Sequence, residues 1–320
     1  MTATVSVGML RFLNLDIFNL APRSMKKLLT LTLTLVLALV LVANQASAQQ
    51  FSKRKQYNSV GVSLNAMNYF GDIVPKPSIT SLRFAATRPN IGLSFTHRFA
   101  PRISARGTLA YGRITGDDAK AADDTDPDAK YRYNRNMNFR NDIVELSGVG
   151  IFDLIENRNN YLKRPDFVPY VFAGVSVFHH NPKAQDASGN FVALQPLGTE
   201  GQRANGEGTY GLWQISIPFG GGVRYKLNKS FDLGFEIGWR KTFTDYLDDV
   251  SGNYAPDNQL LTDQAKYFGR GITRSRAGEF ARFDEPGQMR GKSNEDDWYI
   301  VTGFSLNYIL APRVKSPKFR

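Results

Sequence analysis

Three carboxylates crowd the segment TFTDYLDDVSG, where Asp245, Asp248 and Asp249 fall within five residues, with Tyr246 between them. Carboxylates this close could hold a metal ion, cleave a glycosidic bond as an acid and base pair, or accept the N–H groups of a tight turn. Glycoside cleavage needs a sugar cleft and two carboxyls in unequal environments, and nothing else in the sequence supplies the cleft. The mixture of Asp, Ser, Gly and Asn favours an ordered turn in which the carboxylates accept backbone N–H bonds. A second acidic stretch, GDDAKAADDTDPD (Gly116–Asp128), lacks the spacing and terminal glutamate of a calcium loop, so a solvated loop is expected. His179 and His180 are expected at a solvated strand end. No catalytic, metal-binding or cofactor-binding residue is expected.

Composition narrows the chemistry further. With no cysteine and three histidines in 320 residues, thiolate sites and thiol nucleophiles are excluded and a zinc hydrolase is disfavoured. A formal charge of +11 would suit nucleic acid, phosphorylated lipid or an acidic partner, but charge reports on association rather than on fold or chemistry. The compartment gives that charge its meaning. The segment MKKLLTLTLTLVLALVLVANQASA, Met25 to Ala48, has two lysines, an uncharged apolar run and a small-residue ending. Those are the three parts of a secretory signal peptide. The expected organisation is an upstream extension at 1–24 with Met25 as the true start, a signal peptide at 25–48, a barrel at 49–312 and a basic periplasmic tail at 313–320.

Beyond residue 48 the dominant pattern is alternation. Phe231, Leu233, Phe235, Ile237 and Trp239 alternate with Asp232, Gly234, Glu236, Gly238 and Arg240, the period of a strand between two environments. The same period predicts strands near Tyr57–Met67, Asn90–Phe99, Ile103–Tyr111, Ile143–Phe152, Val168–Phe178, Trp213–Leu227, Phe231–Phe243 and Trp298–Leu310. A soluble sandwich would also alternate, so the connections decide. APR (Ala100–Arg102) and NKS (Asn228–Ser230) are short, Asp153–Asp166 is of medium length, and the remaining connections are long. Short turns at one end and long loops at the other are expected of outer-membrane barrels. The expected fold is therefore all-β: an eight-stranded antiparallel transmembrane up-and-down barrel with long extracellular loops.

An eight-stranded barrel has an interior that side chains fill. Arg98, Arg106, Glu145, Arg224, Asp232, Glu236 and Arg240 are expected there as a network of paired charges. The periplasmic end would carry Arg158, Lys163, Arg164, Arg313, Lys315, Lys318 and Arg320, a basic surface suited to an acidic partner.

The segments AMNYFGD, AYGRITGDD, VPYVFAGVSVF, PFGGGVRYKL and WRKTFTDYLDDVSGNY resemble the PorG-like outer-membrane barrels of Bacteroidetes, over roughly residues 55–310. The resemblance implies a non-enzymatic component of the type IX protein secretion system, linked in some species with gliding motility. Its implied partners are outer-membrane lipid and lipopolysaccharide, a periplasmic ring lipoprotein and the ring protein associated with it, with no nucleic acid. The alternative is a surface-binding or adhesion-type barrel that works through its long external loops.

Overall fold

The computed structural model describes residues 55–73, 86–121, 132, 135–204, 206, 208–270 and 285–311. The signal-peptide segment and the tail residues Arg313, Lys315, Lys318 and Arg320 lie outside the described residues. Ten strands follow in chain order: β1 (Tyr57–Phe70), β2 (Arg88–Arg98), β3 (Ile103–Asp117), β4 (Asn138–Asp153), β5 (Phe167–His179), β6 (Pro182–Gln185), β7 (Phe191–Ala193), β8 (Trp213–Lys226), β9 (Phe231–Thr242) and β10 (Trp298–Leu310). Antiparallel pairing runs β3-β2-β1-β10-β9-β8-β5-β4, and β3 pairs again with β4 from Ile103↔Phe152 to Asp117↔Asn138. That last pairing closes an eight-stranded antiparallel barrel, so none of its strands is left as a free edge. The short strands β6 and β7 form a hairpin beside the top of β4, held through Arg140↔Lys183 and Asn141↔Pro182.

The alternation sorts the two faces. Val60, Val62 and Leu64 of β1, Ile91, Leu93 and Phe95 of β2, Val175 and Val177 of β5, and Phe304 and Leu306 of β10 are all exposed on the outer wall. A soluble protein would bury so continuous an apolar band, whereas a bilayer provides a solvent for it. The barrel therefore spans a membrane. No described helix is long and apolar enough to cross one, so the strands do the crossing.

Three strands run further than the alternation indicates. β1 extends to Phe70, β3 to Asp117, and β4 begins at Asn138 rather than near Ile143. Above the belt, inward side chains such as Ile114 and Phe139 are buried under loops instead of alternating against lipid, and the simple period fades.

Inside the barrel, close packing demands glycine where strands carry a large neighbour. Gly220 faces Gly238 in the β8–β9 register, and an added Cβ at Gly238 would lie 2.8 Å from Phe172 Cζ. The paired glycines make room for that ring in the lumen. The outer wall yields a direct test of membrane embedding. Replacing Leu64, exposed at mid-strand, by Arg should cost about 2–4 kcal/mol of stability in lipid vesicles, read from denaturant unfolding.

Candidate functional site

The barrel is filled from one end to the other. At mid-height Arg106 Nη2 lies 2.9 Å from Glu236 Oε2, and Tyr170 donates to the same carboxylate at 2.5 Å. Above it, Tyr299 donates to Glu145 Oε2 at 2.5 Å, and Arg240 approaches that oxygen to 3.5 Å. Towards the end with short turns, Asp153 receives Arg98 at 2.9 Å and Arg224 at 3.1 Å. Arg164 reaches Asp232 at 2.7 Å. A cavity of about 60 Å3 remains beside Arg106, Glu145 and Asn90, room for a few waters.

Arg98, Arg106, Glu145, Arg224, Asp232, Glu236 and Arg240 thus all point inward. Asp153 belongs with them, although it sits at the very end of β4, where sequence treats it as loop. Continuing the alternation from Val149 and Ile151 would have placed it inside.

Arg164 departs from its expected role. Expected on the partner-facing surface, it is instead 5% exposed, and its guanidinium donates to the carbonyls of Tyr161, Asn228, Lys229 and Phe231 as well as to Asp232. The cause is local. The 3-10 turn Tyr161–Lys163, capped by the Asn160 side chain, delivers Arg164 under the barrel, where it ties the β4–β5 connection to the β8–β9 turn. Around it, Arg158, Lys163 and Lys229 remain exposed, with Leu154, Ile155 and Leu162 exposed on the same connection. Arg158 pairs with Glu156 at 3.0 Å.

At the opposite end the long connections fold into a cap. Met67, Tyr69, Ile73, Ile114, Met137, Phe139, Phe178, Leu247, Val250, Tyr254 and Tyr299 form one buried cluster drawn from strand tops and loops. Within it, Asp248 accepts the Val250 N–H at 2.9 Å and the Tyr69 hydroxyl at 2.7 Å. Asp249 adopts φ 68°, a left-handed conformation that Asp tolerates, and accepts the hydroxyls of Thr199 at 2.5 Å and Tyr210 at 2.6 Å. Tyr246 stacks on Tyr210 with ring centroids 4.5 Å apart. Asp245 is 8% exposed, and the Ser251 side chain is the contact that opposes the rise of its pKa. Burial first, then the charges of Asp248, Asp72 and Glu200, push Asp245 up to about 9. Burial likewise raises Asp249 to about 6, opposed by Arg290.

Sequence alone missed the partners of this turn. Asp72, Asp118 and Glu200 converge on the cap from three other connections and Asp297 from the far end of the same one, with Arg135 joined to Asp118 at 2.8 Å and Arg290 to Glu200 at 2.6 Å. His180 is also corrected. Expected at a solvated edge, it is fully buried beneath the cap: Nε2 donates to the Gly211 carbonyl at 3.2 Å, which leaves Nδ1 to accept from Asn141. Burial lowers its pKa to about 4. Among the described residues no group of three His, Asp or Glu side chains has the arrangement to hold a metal ion.

The family described as "Domain of unknown function (DUF6089)" matches residues 32–269. The chain belongs to that family. No curated protein matches it. Among solved structures it is similar to Ail, the attachment invasion locus protein of Yersinia pestis, at 7% identity and a TM-score of 0.38, over 80% of this chain and 99% of that one. Neisserial surface protein A is similar at 9% identity and a TM-score of 0.36, over 78% and 96%. OprG of Pseudomonas aeruginosa is similar at 9% identity and a TM-score of 0.35, over 81% and 98%. The eight-strand closure rests on the pairing within this chain itself.

The buried pairs differ in weight from those on the rim. Asp153→Ala leaves Arg98 and Arg224 without their counter-charge and should cost roughly 3–5 kcal/mol. Asp296→Ala, which removes the half-exposed partner of Lys241, should cost at most about 1 kcal/mol. Parallel denaturant unfolding of the two variants checks the contrast.

Proposed function

We propose that this barrel is a non-enzymatic anchor in the outer membrane, a component of the type IX protein secretion system that holds a periplasmic ring lipoprotein and its associated ring protein beneath the bilayer. The observation that carries this reading is the contrast between a filled interior and an ordered, exposed basic rim. The lumen offers no route, and the buried carboxylates of the cap are engaged in folding the loops. At the short-turn end, by contrast, Arg158, Lys163 and Lys229 stand exposed beside Leu154, Ile155 and Leu162, a mixture of charge and apolar surface suited to a protein partner. The specific secretion system and its ring partners are taken from the resemblance of TFTDYLDDVSG and the other quoted segments.

A second reading, a surface-binding barrel, is favoured by the exposure of Leu261 and Met289 on the cap. The two readings place the working surface at opposite ends.

Charge on the rim should steer association more than it sets affinity. The combined replacement of Arg158, Lys163 and Lys229 by Glu should therefore reduce copurification of the ring lipoprotein from native membranes, with a deficit that is largest at low salt and shrinks as salt screens the charges. Heat-modifiable migration of the barrel should persist. Undiminished copurification, with loss of partners only on replacing Leu261 and Met289, would favour the surface-binding reading.

A further inference from the structure

The upper end of the barrel contains a hydrogen-bonding problem that carboxylates alone cannot solve. Tyr69 points inward at the top of β1, and its Oη lies 2.7 Å from Asp248 Oδ2 and 2.7 Å from Asp297 Oδ1. A phenol has one proton and donates one hydrogen bond. If both carboxyls were ionised, one of these contacts would set two lone-pair oxygens against each other with no proton between them. All three residues are buried, so water does not relieve the conflict. A second proton must therefore sit on one carboxyl and point back at the phenol oxygen.

The remaining partners decide which carboxyl carries it. Asp248 accepts N–H bonds from Val250 at 2.9 Å and Ile73 at 3.3 Å, on both of its oxygens, and these favour its ionised form. Asp297 accepts the Leu247 N–H at 2.8 Å through Oδ2, which leaves Oδ1 facing only the phenol. We propose that Asp297 is held protonated and that the Asp297–Tyr69–Asp248 chain is a proton-dependent clasp that fastens the extracellular loops over the barrel. The chain joins the top of β1 to the turn after β9 and to the residue before β10, so its loss would free both ends of the β9–β10 connection.

The surroundings leave the clasp short of positive charge. Asp72 approaches from the β1–β2 connection and Asp245 from the same turn as Asp248, and both act on these carboxyls. Arg135, from the β3–β4 connection, opposes them but is paired with Asp118, which Arg132 also faces. Arg290 is engaged by Glu200 and Asp249. His180 lies one layer below, joined through Asn141 to the Leu247 carbonyl. A proton held among these carboxyls offsets part of the excess that Arg135 leaves.

Burial raises Asp297 well above the usual carboxylate range, with the charges of Asp248 and Asp245 adding to it, and burial raises Asp248 in the same direction. A carboxyl whose pKa is higher in the closed cap binds more protons closed than open. Its contribution to closure is fully present below the open-state value of about 3.9 and is lost as pH rises through the closed-state value. His180 acts oppositely: lowered to about 4, it favours closure above its open-state value of about 6.5, and that support is lost as pH falls.

Amide hydrogen exchange of residues 244–252 in phosphatidylcholine vesicles, corrected for intrinsic exchange, tests the proposal across mildly acidic to mildly alkaline pH. In the wild type the opening constant should rise at least about tenfold per pH unit, one proton's worth. Asp297→Asn presents an N–H to Tyr69 and a carbonyl to Leu247, imitating the protonated acid, and should lower that slope by about tenfold per pH unit. Infrared difference spectra should show a protonated carboxyl band at neutral pH that Asp297→Asn removes. An unchanged slope in Asp297→Asn, or no such band in the wild type, would overturn the clasp. A pH dependence that vanishes when calcium is chelated would assign the site to a metal ion instead and also overturn it.

Discussion

Closing eight strands leaves an interior no wider than the side chains that must fill it. The rest of the structure follows from that width. Arg106, Glu236, Tyr170, Glu145 and Arg240 cannot be hydrated freely in so narrow a space, so each charge is placed beside an opposite charge or a hydroxyl. The glycine pair Gly220 and Gly238 reflects the same constraint, because Phe172 occupies the volume that two side chains would otherwise need. A barrel built this way makes a rigid post across the membrane, and its accessible chemistry is displaced to its two ends.

The two ends are closed by different means. At the short-turn end one guanidinium, that of Arg164, satisfies four backbone carbonyls and Asp232, which fixes two connections with few residues. At the other end a long connection packs Leu247, Val250 and Tyr254 against Phe139 of β4 in an apolar core. That core buries the carboxylates whose hydrogen bonds shape the loops, and their accumulation makes the cap sensitive to protons in a way the lower end is not.

The sequence displays the fold where lipid and lumen impose opposite demands on successive residues. Val60, Val62 and Leu64 against Ser59, Gly61 and Ser63 is such a stretch, and the unequal connection lengths then orient the barrel. Legibility ends above the membrane. Ile114 and Phe139 are buried by loops distant in sequence, and no local period marks them. The TDYLDD turn was visible as an unusual cluster, but Tyr69 and Asp297, which give it meaning, stand on strands and connections that pairing alone brings together. Arg164 and His180 were misplaced for a related reason. A cation or imidazole in a connection suggests solvent, and only the folded partner, Asp232 in one case and the cap in the other, shows that water is excluded.

Filled by paired charges and capped by its loops, the barrel should act as a post rather than as a channel. Conductance of the purified full chain in planar bilayers is the decisive measurement, because ions respond to any continuous aqueous path. The account predicts a baseline without steady open-channel currents. Reproducible, porin-like conductance from the wild-type barrel would contradict it and would require a water-filled route past Arg106, Glu236 and the loops above them.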